Sequence, residues 1–262
     1  MATQGLQTTD KAAGLKIEVI NQAEDFTSAF ESAAKCFGDQ IHDAVWTAMN
    51  PGWHTAEGKA AGAARLVDRW RSGTTNMDGN LNTVFLKATL PDPQHPDRRI
   101  LVGFAIWAQL SMVEGYGDKP SSDLSKSVDL EALYPGDAAE QRFLSQANGS
   151  LLKQRVETVQ SKKGASPPAT FVLDLCVVDP AFQRRGIALK LVQWGLEEAK
   201  RRNGLEATTE ASAMGRHVYA KLGFKPVADV EYKVDEDVLK GRTLPPNLFM
   251  RTGGGGTQTV VI

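Results

Sequence analysis

The residues best suited to do chemistry lie in one turn and the apolar run before it. In "DPAFQRRGIALKLVQWG" (Asp179–Gly195), Gln183, Arg184, Arg185 and Gly186 join the run Thr170–Val178 to a segment of helical periodicity beginning at Ile187 and Ala188. A strand feeding a helix presents the helix's unpaired N–H groups at the turn. Those donors and the helix dipole favour a phosphate. Gly186 lets the backbone approach such a ligand with no Cβ in the way, and two arginines add charge-assisted bonds. A dinucleotide would require G-x-G-x-x-G directly after the strand. Glu206 and Glu210 lie at the right distance for the ribose-binding acid, but the glycines are missing, which disfavours a dinucleotide.

The elements that must position this turn follow from periodicity. Leu15–Ile20 alternates as a strand. A helix is expected from about Asp25, ending at Gly38, and another over Ala56–Trp70. Thr83–Leu90 and Arg99–Leu110 read as a hairpin with a long loop. Residues 111–168 interrupt the rhythm with loop-like sequence and a helix, and are read as a lid. Then come the strand Thr170–Val178, the helix Ile187–Arg202, a strand at Leu205–Ser212, a short helix ending at Gly223, and terminal strands in Phe224–Val234 and Asn247–Thr252. The expected organisation is a disordered leader over 1–14, one mixed α/β domain over 15–252, and a flexible tail over 253–262.

Composition narrows the partners. Lys plus Arg is 30 and Asp plus Glu is 31, so the net charge of −1 gives no reason to expect nucleic acid or an anionic membrane. Cys36 and Cys176 form no C-x-x-C pair, and His42, His54, His95 and His217 have no metal-ligand spacing. The expectation is a cytoplasmic protein without a metal.

"QRRGIA" (Gln183–Ala188) fills the pattern Q/R-x-x-G-x-G/A, and "EASAMGRHVYAKLGF" (Glu210–Phe224) follows at the matching distance. On these motifs the chain resembles the GNAT superfamily of acyl-CoA-dependent N-acetyltransferases, and phrases such as "LVQWGLEEA" look like its fungal small-molecule members. The resemblance is strong over Phe171–Val227 and extends in element order over Leu15–Thr252. It implies a central, mostly antiparallel, splayed sheet with flanking helices and a long insertion between the third and fourth strands. It also implies acetyl transfer from acetyl-CoA to the primary amine of a small molecule, by direct attack in a ternary complex of a monomer or homodimer. A protein or peptide acetyltransferase and a non-catalytic CoA-binding module are the alternatives.

Carried over by position, Cys176, Val177 and Val178 would meet the pantetheine arm with backbone groups. Gln183, Arg184, Arg185, Gly186, Ile187 and Ala188 would cradle the diphosphate, and Ser212 stands where many members have a cofactor-binding asparagine. The Val178 N–H would be the oxyanion donor and Tyr219 the general acid. A phenol of pKa ~10 stays protonated at neutral pH and can protonate a thiolate of pKa ~8.5. The position of the family's basic glutamate is Val172, which cannot serve. Asp174, two residues on, is either a base or amine anchor or else a structural partner, Glu210 is the next candidate, and water relay remains open. Cys176 lacks a matched base for a nucleophilic role. Trp46, Trp53 and Trp107, with Glu210, are the expected acceptor-side residues.

Overall fold

In the computed structural model, which describes residues 13–95 and 97–253, the sheet is built from β1 (Lys16–Val19), β2 (Thr83–Pro91), β3 (Arg99–Ser111), β4 (Ala169–Val178), β5 (Glu206–Ala211), β6 (Lys225–Asp229) and β7 (Leu248–Arg251). Most of the expected leader and tail lie outside the described residues. The strand order is β1-β2-β3-β4-β5-β7-β6. Only β4 and β5 run parallel, and every other neighbouring pair is antiparallel.

Side chains on the central strands alternate between two cores. Phe85, Phe104, Ile106 and Val177 face one side, packed with Phe26 and Ala29 of α1 (Asp25–Ala33) and flanked by α3 (Ala56–Arg71). Leu86, Ala105, Trp107 and Val178 face the other, under Ile187, Leu191 and Val192 of α6 (Ile187–Arg201). The spacing of those α6 residues is the i, i+4, i+5 stripe of an amphipathic helix. The approach is close because α6 has Gly195 over Trp107. A Cβ there would lie 2.0 Å from Trp107 Cε2.

The helix expected to end at Gly38 does not do so. Ala34–Gln40 continues α1 as a π-helical turn. Gly38 serves there as a contact surface, since a Cβ would lie 2.3 Å from the Trp53 ring. The next helix, α2 (Ala44–Met49), is capped by Asp43, whose Oδ1 accepts from the N–H groups of Val45 and Trp46 at 3.0 and 2.9 Å.

The insertion 111–168 folds as α4 (Leu130–Leu133) and the 24-residue α5 (Ala138–Ser161). Phe143, Leu144 and Ala147 of α5 pack against Val45 and Ala48 of α2 and Val238 of a short helix α8 (Glu236–Leu239) that the sequence reading did not anticipate. The insertion is thus bound into the fold as a wall. No described helix is long and apolar enough to cross a membrane.

Two features of β4 prepare the site. Its pairing with β5 ends at Leu173↔Thr209, after which β5 continues paired only with β7, on its other edge, while β4 stays with β3 as far as Val178↔Gly103. Its register against β3 slips at Asp174, because Leu173 pairs with Trp107 and Leu175 with Ile106. A bulge there bends the strand as the two parallel strands part.

Candidate active site

Beyond the bulge, backbone direction follows from one bond. The Asp179 N–H donates to the Val102 carbonyl at 3.0 Å. By antiparallel alternation, Val177 then bonds β3, while the N–H and C=O groups of Cys176 and Val178 face the gap left by β5. Of the three residues expected to meet a pantetheine arm through the backbone, Val177 is therefore corrected. Its backbone bonds β3 and its side chain lies in the core beneath α1.

The turn that follows is stiff. Arg184 and Gly186 both have positive φ, 62° and 78°, and Gly186 has nothing within 4 Å of where a Cβ would sit. The space over Gly186 is open at the start of α6, where the first-turn amides have no carbonyl behind them. Gln183 is tied into the turn. Its Nε2 donates to the Val178 carbonyl at 3.1 Å, and it exchanges amide hydrogen bonds with Gln40 at 2.8 and 3.1 Å. Lys35 pairs with Asp179 at 2.7 Å, a second tie from the π-helical turn. The Arg185 guanidinium lies 5.1 Å from the Phe182 ring centre. Ile187 is buried, so Ile187 and Ala188 offer the site only their amides.

A cavity of about 630 Å³ opens where β4 and β5 part. Tyr219, on α7 (Arg216–Lys221), reaches its wall, and Gly215 makes room for the ring, since a Cβ there would lie 2.6 Å from Tyr219 Cε2. Burial, with Cys176 and Cys36 nearby, raises the Tyr219 phenol well above its usual pKa. Ser212 also lines the cavity, but its Oγ accepts from the Gly215 N–H at 3.2 Å and so helps start α7.

Burial pushes the Cys176 thiol up to about 12, with Cys36 adding to the effect. Cys36 rises to about 11, first by burial and then by the Asp179 and Asp43 carboxylates, against a lowering hydrogen bond from the Val178 N–H. Both thiols stay protonated at neutral pH, which removes the thiolate a nucleophilic cysteine needs. From β4, Leu173, Asp174, Leu175 and Cys176 line the cavity wall, and Val178 does not.

Asp174 is held between two arginines. Arg155 Nη1 lies 2.5 Å from Asp174 Oδ1, and Arg69 Nη2 lies 2.9 Å from Oδ2. The same Arg155 turns its Nε to Glu210 Oε1 at 3.1 Å and pairs through Nη2 with Oε2. Burial raises the Asp174 carboxyl, but Arg69 and Arg155 more than offset this and hold it well below the usual carboxylate range. With both oxygens engaged and its proton affinity lowered, Asp174 is a poor proton acceptor, and Glu210 shares its clamp. The network bridges β4, β5 and α5 across the mouth of the gap.

Of the aromatics expected on the acceptor side, Trp46 lines the cavity. Trp107 is a correction. It is fully buried, stacked on Phe171 at 5.1 Å between ring centres, beneath α6. Trp53 is corrected as well, since it packs on Gly38 and Trp46 rather than lining the cavity. Sequence reasoning missed Asp43, Arg69, Arg155, Tyr232 and Asn247, all on the cavity wall. For Arg155 a signal existed, since it stands four residues after Leu151 and so shares its face of the helix. Tyr232 Oη and Asn247 Oδ1 are buried with no hydrogen-bond partner among the described residues.

Residues 133–236 match the family profile of the acetyltransferase (GNAT) domain, a segment holding β4, the turn, α6, β5 and α7. No curated protein matches the sequence. Among solved structures, the chain is similar to a protein of Corynebacterium glutamicum described as histone acetyltransferase HPA2 and related acetyltransferase. The identity is 14%, the TM-score 0.53, and the match covers 94% of this chain and 99% of that one. It is also similar to arylalkylamine N-acetyltransferase 2 from Aedes aegypti, at 16% identity and TM-score 0.53, covering 90% of this chain and 97% of that one. At these identities the likeness is one of fold. The GNAT-matching segment, 133–236, is thus set on a parted sheet whose fold is that of solved acetyltransferases.

Proposed function

We propose that this chain is an acetyltransferase of the GNAT superfamily and that it moves an acetyl group from acetyl-CoA to the primary amine of a small molecule, by direct attack in a ternary complex. The observation that carries the reading is the junction of the β4–β5 gap with a cavity of about 630 Å³, walled by α5 and by Trp46. That volume is in the range of small-molecule sites, and an aromatic wall beside a few polar groups suits a partly apolar amine.

The residues present fit coenzyme A. The gap-facing backbone of Cys176 and Val178 can pair with an extended amide-bearing arm as a further strand would. The first-turn amides of α6, the open face of Gly186, and Arg184 and Arg185 suit a diphosphate. Bound acetyl-CoA supplies an activated thioester carbonyl. The N–H groups of Cys176 and Val178 both face the gap and are the two candidates for the oxyanion role. Tyr219, kept protonated by burial, donates to the departing sulfur.

The test is thiol release from acetyl-CoA with a panel of alkylamines, arylamines, amino acids, polyamines and peptides. Turnover of small amines at rates above those of peptides is expected. Peptide-only turnover would reassign the acceptor, and intact acetyl-CoA binding with no turnover would leave a binding module.

A further inference from the structure

The incoming amine arrives as an ammonium and must lose a proton before it can attack, yet the two carboxylates expected for that task are tied to Arg155 and Arg69. A third carboxylate lines the same cavity. Asp43, at the head of α2, is buried, and both of its N–H contacts fall on Oδ1. Oδ2 is left over, and among the described residues no lysine or arginine pairs with Asp43. We propose that Asp43 is a catalytic residue of this enzyme: it anchors the acceptor ammonium through Oδ2 and takes its proton. This assignment rests on the small-amine reading above.

Three further observations support it. Burial raises the Asp43 carboxyl above its usual pKa, with the hydrogen bonds from Trp46 and Val45 only partly opposing this. That is the direction a base needs. Asp43 lines the same cavity as Cys176 of β4 and as Tyr219. Its charge also acts on the buried Tyr232 hydroxyl, which like Asn247 Oδ1 has no partner among the described residues. The cavity thus offers an ammonium three oxygen acceptors, Asp43 Oδ2, Tyr232 Oη and Asn247 Oδ1, and a cation–π face on Trp46.

The titratable groups facing Asp43 are Cys36 from the π-helical turn and Tyr232 from the segment after β6. Of the charged groups elsewhere on the cavity, Arg69, Arg155, Asp174 and Glu210 form the clamp, and Asp118 accepts from Thr74 and Asn82. Lys119 lies on the insertion side and Tyr219 on α7.

The step balances. Asp43 takes one proton from the ammonium, and the freed nitrogen pair forms the C–N bond to the thioester carbon. The C–S bond breaks with its electron pair on sulfur, which takes the Tyr219 proton. The second nitrogen proton returns to Tyr219, and Asp43 releases its own to water.

Asp43→Asn separates this role from capping, because asparagine caps a helix as well as aspartate does. Asp43→Ser, a second capping variant, covers a folding failure of the first. The probe is the fastest amine of the panel above, with acetyl-CoA, across pH. Expected is a drop in kcat/KM of roughly 100-fold at neutral pH, with unchanged KM for acetyl-CoA and an unchanged unfolding midpoint. The deficit should shrink as pH rises toward the pKa of the amine, where the acceptor is already neutral. A capping variant matching wild type across pH would overturn the role of Asp43 alone. A deficit that does not vary with pH would overturn it too, leaving Asp43 as a cap. A wild-type enzyme that turns over no small amine overturns the parent function and this role together.

Discussion

Tyr219 and Asp174 illustrate how two buried ionisable groups diverge. Tyr219 has no cation beside it, so desolvation acts unopposed and its phenol stays protonated well into the alkaline range. Tyr219→Phe should lower turnover by roughly 10²-fold or more, as loss of a general acid does, with little change in acetyl-CoA affinity. Steady-state kinetics beside a binding isotherm check both halves, and wild-type turnover would remove the acid role. Asp174 has two cations beside it, and its folded pKa lies below its ordinary value of 3.8. Its ion pairs therefore contribute their full stability above that value and lose it as pH falls below. Denaturant midpoints of wild type and Asp174→Asn should differ most at neutral pH and converge below about pH 4. A constant difference would show that the charge is not what Asp174 contributes.

At the scale of elements, the strand–turn–helix unit was the most legible part. The apolar run, the glycine and the i, i+4, i+5 stripe of α6 are local patterns, and β4 and α6 fall within one residue of expectation. Two glycines here invite different tests. Gly186→Ala meets open space but must hold φ near 78°, a cost of about 1–2 kcal/mol for an L-residue. Its sharper consequence should be weaker coenzyme A binding, measurable by calorimetry, because the new methyl stands where the diphosphate approaches. Gly195→Ala instead drives a Cβ into the Trp107 ring, so α6 must lift from the sheet. A loss of about 1–3 kcal/mol is expected from unfolding curves, as for other overpacked cores. Trp107 was misread because alternation says which face a side chain takes, not which layer covers that face.

Across the whole molecule, Arg155 is the residue that makes the insertion part of the site. It leaves α5, in the insertion, to meet Asp174 on β4 and Glu210 on β5, spanning the point where the two strands part. Arg155→Ala leaves Asp174 with Arg69 but leaves Glu210, whose side chain is 4% exposed, without a countercharge. Removing one partner of such a buried pair costs about 3–5 kcal/mol. The variant should unfold at a correspondingly lower denaturant concentration, and a midpoint equal to wild type would mean that water replaces the arginine there.

The amino-acid sequence by itself determined the periodic elements, the glycine-bearing turn, the Tyr219 segment after it and, through these motifs, the resemblance to the acetyltransferase family. Each of these is written in residues close together along the chain, where strand and helix periods fix which groups share a face. Tertiary structure alone decided which ionisable groups are free. Asp174 and Asp43 are both acids beside apolar runs, and nothing local distinguishes them. Arginines from α3 and α5 reach the first and, among the described residues, none reaches the second, because charge pairing depends on which distant elements the fold packs together.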